Sequence, residues 1–272
     1  MKKTTLAVLG CGNMAQAIVR ALYKSQANGS CTAYSMQMDV IVSDIDEQKL
    51  VQLDAPVAKT TDNADAVRNA DYVLLAVKPQ AAVNVLQPLS LGNKIVISIM
   101  AGTSIATLQQ LTGCRKVIRV MPNLNARIFR SYNAYACVGV TSDEQAFVQA
   151  LLSSFGVAEQ VEEAQLDAVT GLTGSSPAFV FMFIKALAEQ GVALGFSPAS
   201  ARKMALATVI GSAELVNADP TADLDRLIDS VCSKGGTTIE GVNYLRAQNF
   251  ETVAKTAVQK AVDRAMELSA SK

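Results

Sequence analysis

Three glycine-containing segments carry the backbone freedom and side chains that chemistry on a small anionic ligand would need. The first is Gly10-Cys11-Gly12-Asn13-Met14-Ala15, with the G-x-G-x-x-G/A spacing of a dinucleotide-binding turn. Gly10 would permit the tight turn, Gly12 would let the backbone approach a pyrophosphate, and Ala15 would let the next helix pack close to its strand. The N–H groups opening that helix, from Asn13 and Met14 onward, would point at the phosphates. The second segment is Gly171-Leu172-Thr173-Gly174-Ser175-Ser176-Pro177-Ala178. It reads as a helix start, with Pro177 at the first position and Ser175 or Ser176 as cap. It also reads as a wall of backbone and hydroxyl groups, Ser176 among them, beside a nicotinamide. The third is Ser233-Lys234-Gly235-Gly236-Thr237-Thr238. Thr237 and Glu240 have capping-box spacing, so one reading is a well-capped helix. The other is an anion site suited to a substrate carboxylate, because the glycines expose N–H groups beside a positive helix end. The chain has no histidine. That excludes a Ser-His-Asp triad and the usual imidazole base, and it argues against a catalytic metal.

These segments need elements to position them. Leu6-Ala7-Val8-Leu9 is a short apolar run of the kind expected for a parallel strand buried on both faces. Further strands are expected at Val40-Ile41-Val42, ending in Ser43-Asp44, and at Asp71 to Val77, stopped by Lys78-Pro79. Two more are expected at Ile95 to Ile99, ending in Ala101-Gly102, and at Val117 to Val120, ending in Met121-Pro122-Asn123. The polar stretch from Gln26 to Asp39 reads as a loop, and helical patterns lie between most of the strands. Such alternation implies a doubly wound parallel sheet, which binds ligands at the carboxyl ends of its strands. Asp44 stands where an acid would take the adenosine ribose 2′-OH, or it caps the following helix. Asp44 and Asp46 would repel a 2′-phosphate and no arginine is nearby, which favours NADH.

After about residue 162 the strand-like runs stop. Helices are expected from Leu166 to Leu194, broken near Ser175-Ser176-Pro177, then from Pro198 to Val216, Thr237 to Leu245 and Phe250 to Leu268. Their wide apolar faces imply a dimer that packs them together, with a self-contained bundle as the alternative.

The 272 residues suggest two domains. Lys+Arg and Asp+Glu both count 24, which argues against a general nucleic-acid binder. No unbroken apolar run approaches the roughly 18 residues of a membrane span. The five cysteines show no C-x-x-C spacing, so neither a disulfide framework nor a zinc site is indicated, and a reducing, cytoplasmic setting is expected. The opening MKKTTLAVLGC has the outline of a secretory or lipoprotein leader, but its apolar run is broken at Gly10, and the strand-and-turn reading fits better.

Five segments occur in order: Gly10 to Met14, Ala76-Val77-Lys78-Pro79, Met121-Pro122-Asn123, Gly174 to Phe181 and Ser233 to Thr238. With them the chain resembles the pyrroline-5-carboxylate reductases over essentially its full length, the last two segments being the specific ones. The resemblance implies α/β architecture, a Rossmann-type doubly wound sheet over residues 1–162. An all-helical substrate and dimerisation domain follows over 163–272, interleaved in a homodimer and sometimes in larger rings. It implies hydride transfer from a reduced nicotinamide cofactor, NADP or NAD, to C5 of the cyclic imine 1-pyrroline-5-carboxylate, giving L-proline. Asn63, Ala76, Lys78 and Pro79 match positions lining the cofactor site, and Ser233 to Thr238 match the loop that holds the carboxylate through main-chain N–H groups. The expected cofactor set is Gly10, Cys11, Gly12, Asn13, Met14, Ser43, Asp44, Asn63, Ala76, Val77, Lys78, Pro79, Ala101, Gly102 and Asn123. The expected substrate set is Ser176, Ser233, Gly235, Gly236, Thr237 and Thr238, with Thr238 beside the imine nitrogen as the catalytic hydroxyl.

The family pattern is broken at Leu124-Asn125, where Thr-Pro is usual, and at Ser131, where glycine is common. These departures leave room for a nucleotide-binding redox sensor. A β-hydroxyacid dehydrogenase is the other alternative, but Val180 stands where its activating lysine would fall.

Overall fold

The computed structural model describes residues 3–24 and 36–270. Most of the loop expected over 26–39 lies outside them; Met38 and Asp39 belong to a strand. The chain runs β1 (Thr4–Leu9), α1 (Asn13–Tyr23), β2 (Met38–Ser43), α2 (Glu47–Gln52), β3 (Ala58–Thr60), α3 (Asn63–Val67) and β4 (Tyr72–Leu75). A short 3₁₀ turn, Pro79–Ala81, leads into α4 (Ala82–Leu86), then β5 (Ile95–Ser98), α5 (Ile105–Thr112) and β6 (Val117–Met121). A 3₁₀ turn at Leu124–Ile128, β7 (Ser131–Val138), α6 (Ser142–Ser153) and β8 (Gly156–Gln160) complete the sheet.

The strand order is β3-β2-β1-β4-β5-β6-β7-β8. The first six strands are parallel, and the order reverses between β1 and β4. This is the Rossmann arrangement, whose ligand crevice opens at that switch point. All residues of β4 and β5 are buried, as strands covered on both faces require. Period-two alternation sends Leu6 and Val8 into one core layer and Ala7 and Leu9 into the other.

Three strands were not expected from sequence. β3 is an exposed three-residue edge, β8 mixes polar with apolar residues, and the apolar run of β7, Ala134 to Val138, follows β6 without an intervening α-helix, outside the strand–helix alternation. β7 is antiparallel to β6, which departs from the wholly parallel sheet expected.

The later helices are α7 (Leu166–Val169), α8 (Ser176–Ala193), α9 (Pro198–Ala218), α10 (Leu224–Val231), α11 (Thr237–Ala247) and α12 (Phe250–Ala270). The break expected near Ser175-Ser176-Pro177 is instead a π turn, Thr170–Ser175, that joins α7 to α8 without interruption. Neither serine caps a helix end there. Pro177 lacks an N–H, and i→i+5 bonding tolerates that gap by widening the turn.

The chain forms two compact units. One holds the sheet, with the chain up to Ser175 and the end of α12 from Ala261; the other is Ser176–Lys260. The first turns after Glu163 are tied to the sheet by Arg119, which pairs with Glu163 and Asp167.

In the second unit α8 and α9 meet where Gly191 lies against Ala201; a Cβ on Gly191 would sit 2.8 Å from the alanine methyl. Little else is covered. No residue of α8 is buried, and Phe181, Met182, Val192, Leu194 and Ile210 are exposed. Among the described residues one helical stretch, Glu163–Ala193, is long and apolar enough to cross a membrane by length and composition. Its apolar residues are interrupted by polar and small ones, so it holds no long unbroken apolar run.

Candidate active site

In the sheet unit, the candidate cofactor site begins at the turn from β1 to α1. Gly10 has φ +99°, and a Cβ there would lie 2.7 Å from the Ala76 carbonyl oxygen at the end of β4. Only glycine fits this crossing of two strand ends. The Gly10 N–H donates to the Ser43 carbonyl at 2.7 Å, which pins the turn to β2. Gly12 is the N-cap of α1, extended, with no side chain capping the helix. A Cβ on Gly12 would meet nothing within 4 Å, so open space stands before the free N–H groups of the first turn.

That space is a cleft of about 330 Å³. Gly12, Asn13, Met14 and Ala15 form one wall, Ala76, Val77, Lys78 and Pro79 a second, and Ile99, Met100, Ala101, Met121 and Pro122 the remainder. Lys78 is exposed and, among the described residues, forms no ion pair. Uncapped helix N–H groups, a close backbone approach and a cation in a mostly apolar cleft fit a dinucleotide with an anionic pyrophosphate.

Several expected cofactor residues stand behind this cleft rather than on it. Cys11 is fully buried, and its N–H donates to Asp44 Oδ2 at 2.7 Å instead of facing a phosphate. Burial, helped by the Asp44 carboxylate, pushes the Cys11 thiol above its ordinary value, so it stays protonated and inert. Asp44 Oδ1 accepts from the Asp46 N–H at 2.9 Å and lies 3.5 Å from Lys49 Nζ. Asp44 is therefore not a free carboxylate at the strand end, nor does it cap α2: the N-cap is Asp46, which accepts from the Gln48 N–H. Its role in the structure is to brace the glycine turn. Lys49 also lies 3.5 Å from Asp46 Oδ2, and attraction to Asp44 chiefly raises its pKa. Although no arginine is near Asp44 in the sequence, Lys49 supplies a cation beside it.

Ser43 is fully buried and its hydroxyl donates to Asn63 Oδ1 at 2.6 Å. It positions Asn63, the first residue of α3, and offers no side-chain surface of its own. Gly102 follows the cleft residue Ala101 with φ +63°. Asn123 is buried; its Oδ1 accepts from the Asn125 N–H at 3.0 Å, and its own N–H donates to Ser131 Oγ at 3.0 Å. So Asn125 and Ser131, two of the departures from the family pattern, complete a local hydrogen-bonded turn.

In the other unit, the segment before α11 is a candidate anion site of its own. The capping box expected of Thr237 and Glu240 is absent: the N-cap is Gly236, and no side chain caps the helix. Thr237 is the first helical residue, one position too late to cap. Gly235 has φ +69°, and the Gly236 N–H donates to the Ser233 carbonyl at 3.0 Å. Ser233 Oγ folds over Gly236 so closely that a Cβ there would lie 2.2 Å from it. A glycine pair thus exposes an uncapped helix start bearing Thr237 and Thr238, an arrangement that suits a carboxylate. Ser176 opens α8 in the same unit.

Sequence reasoning missed Ile99, Met100, Met121 and Pro122 as cleft residues. Met121 and Pro122 directly precede Asn123 at a strand end, so the strand-end rule carried the signal. It also missed Arg119, whose charge inside an apolar strand run is visible in the sequence.

A cofactor cleft at the switch point of a doubly wound sheet, followed by an all-helical segment, defines an NAD(P)-dependent oxidoreductase. Residues 5–102 match the family described as NADP oxidoreductase, coenzyme F420-dependent, and residues 163–268 match the pyrroline-5-carboxylate reductase dimerisation family. The pyrroline-5-carboxylate reductase of Aquifex aeolicus is 38% identical over 264 residues, covering 96% of both chains. The solved Streptococcus pyogenes 1-pyrroline-5-carboxylate reductase superposes with a TM-score of 0.86 at 31% identity, covering 97% of this chain and 98% of the other. A Plasmodium falciparum pyrroline carboxylate reductase with NADP bound gives 0.86 at 25% identity, covering 99% of each. The chain belongs to the pyrroline-5-carboxylate reductase family.

Proposed function

We infer that this chain reduces 1-pyrroline-5-carboxylate to L-proline. The observation that carries the reading is the uncapped start of α11 behind Gly235-Gly236, an arrangement that suits an anion, in a chain of this family. When bound, the reduced nicotinamide supplies a hydride for C5 of the imine. The α1 N–H groups from Asn13 onward hold the pyrophosphate, with Lys78 adding a positive charge. Ser233, Gly235 and Thr237 hold the substrate carboxylate through main-chain N–H and hydroxyl groups; Gly236, whose N–H is taken by the Ser233 carbonyl, shapes the turn around it, and Ser176 lines the same site. The Thr238 hydroxyl hydrogen-bonds the imine nitrogen and keeps its proton in place. An iminium arrives protonated from water, so the protein contributes chiefly orientation, which suits a chain without histidine.

NADH use, or use of both cofactors, is part of this reading. Asp44 and Asp46 oppose a 2′-phosphate while Lys49 beside them offsets that opposition. The departures at Asn125 and Ser131 form hydrogen bonds of their own around Asn123, which favours a working reductase over a sensor that binds without turnover. The chain pairs as a homodimer through its C-terminal helices, whose exposed apolar residues are better covered by a second copy than by lipid. Assembly of such dimers into larger rings extends the same reading, as do domain limits of 1–162 and 163–272 and a cytoplasmic setting.

The test is reduction with cofactor deuterated at the transferred position. The expected product is proline carrying one deuterium at C5. Unlabelled proline, or no proline, overturns the reading.

A further inference from the structure

Arg119 lies inside β6, nearly buried, and no step of the proposed mechanism uses it. Its guanidinium donates to Asp167 Oδ1 at 2.9 Å and reaches Glu163 Oε1 at 3.4 Å. The same Glu163 oxygen accepts from the Ile105 N–H that opens α5, at 2.7 Å. The same Asp167 oxygen accepts from Ser269 Oγ, near the end of α12, at 3.0 Å. One strand, two helix starts and the last helix therefore meet at a single buried cation.

The helix gripped by this cation changes register just beyond the grip. Asp167 lies three residues before Thr170, where the π turn begins. The turn returns to the same strand: a Cβ on Gly174 would stand 2.8 Å from Met121 Cε. Met121 lines the cofactor cleft, and residues two apart on a strand share a face, so Arg119 and Met121 address the helix together. β6 thus holds the helix at both ends of the π turn, by an ion pair at one end and a glycine-to-methionine contact at the other. A π turn is a strained register, common at functional sites, and keeps its place only where its surroundings fix it.

We propose that Arg119, acting through Asp167, is a positioning residue that fixes the π turn Thr170–Ser175 against the Met121 wall of the cofactor cleft. The inference rests on the reductase reading and adds a residue to it. Loss of the ion pair lets the turn slide along β6, disturbing the wall of the cleft beside Met121 while the phosphate-binding turn at Gly10 to Met14 stays intact.

Replacing Arg119 would leave two carboxylates against the sheet and threaten the fold, so the test uses Asp167→Asn and Ser269→Ala. Parent and variants are compared by melting temperature, NADH dissociation constant, kcat and KM for the imine, and the primary isotope effect with deuterated cofactor. For Asp167→Asn the expected result is a kcat lowered about tenfold, an NADH affinity within twofold of the parent, and a larger isotope effect. Ser269→Ala, which removes one bond to the same oxygen, lowers kcat two- to threefold at an unchanged melting temperature. If Asp167→Asn fails to fold, Ser269→Ala decides alone. Parental kcat and isotope effect in the folded variants overturn the inference. A parent without turnover overturns the reductase reading instead.

Discussion

Gly12→Ala separates cofactor binding from folding. Gly12 has φ −74° and ψ 178°, values alanine adopts freely, and a Cβ there meets nothing within 4 Å. Alanine is a poorer N-cap than glycine by about 1 kcal/mol, but it reduces the freedom of the unfolded chain, worth roughly 0.4–1 kcal/mol. The two nearly cancel, so the melting temperature should move by no more than a few degrees. The methyl, however, projects into the space before the α1 N–H groups. Holding the pyrophosphate off one or two of these charge-assisted donors costs about 1.5–3 kcal/mol, or roughly 10- to 150-fold in dissociation constant. Gly10→Ala is the contrasting control. Its Cβ would lie 2.7 Å from the Ala76 oxygen at φ +99°, so backbone strain of about 1–2 kcal/mol adds to overpacking of about 1–3 kcal/mol. That variant should melt roughly 5–15 °C lower. Fluorescence titration with NADH and NADPH, beside thermal melts, measures both effects. A Gly12→Ala protein that binds both cofactors within threefold of the parent would refute the placement of the pyrophosphate.

Thr238→Ala removes the acceptor of a charge-assisted hydrogen bond from the iminium N–H, worth about 1.5–3 kcal/mol, and should lower kcat/KM roughly 10- to 150-fold with cofactor affinity unchanged; full turnover in steady-state assays would remove the role. Lys49→Ala leaves Asp44 and Asp46 unopposed and should lower the ratio of NADPH to NADH turnover severalfold, read from paired kcat/KM values. Glu144 lies partly buried at the start of α6; burial works to raise its pKa, but Lys116 and the Thr141 N–H outweigh it and hold the carboxyl below the ordinary value of 4.5. A depressed folded pKa stabilises the protein above the unfolded value and ceases to do so as pH falls through the folded one. Glu144→Gln should therefore cost about 1 kcal/mol at pH 7, and the gap between variant and parent in urea titrations should begin to close as the pH falls below 4.5.

The five strands read from sequence were legible because each is an apolar run buried on both faces. β8 was not, since Glu159 and Gln160 cut its run short; β7 does carry an apolar run, Ala134 to Val138, but no long helix separates it from β6, so strand–helix alternation gave it no place. In the cofactor turn, Gly10 and Gly12 could be assigned because only backbone geometry matters at those positions. Asp44 could not: whether a strand-end acid faces a ribose or the turn beneath it depends on the Cys11 N–H, a contact across the chain. The same limit applied at Thr237. A capping box and an open anion site share one pattern, and the position of Gly236 as N-cap separates them. Arg119 escaped notice because its partners, Glu163 and Asp167, lie far along the chain.

Reduction of the cyclic imine is tested most directly by mixing the purified protein with 1-pyrroline-5-carboxylate and either NADH or NADPH. Substrate-dependent oxidation matched by L-proline formation is the predicted result, with NADH supporting turnover at least comparable to NADPH. Cofactor binding without oxidation of either nucleotide would contradict the account and leave the cleft as a nucleotide sensor.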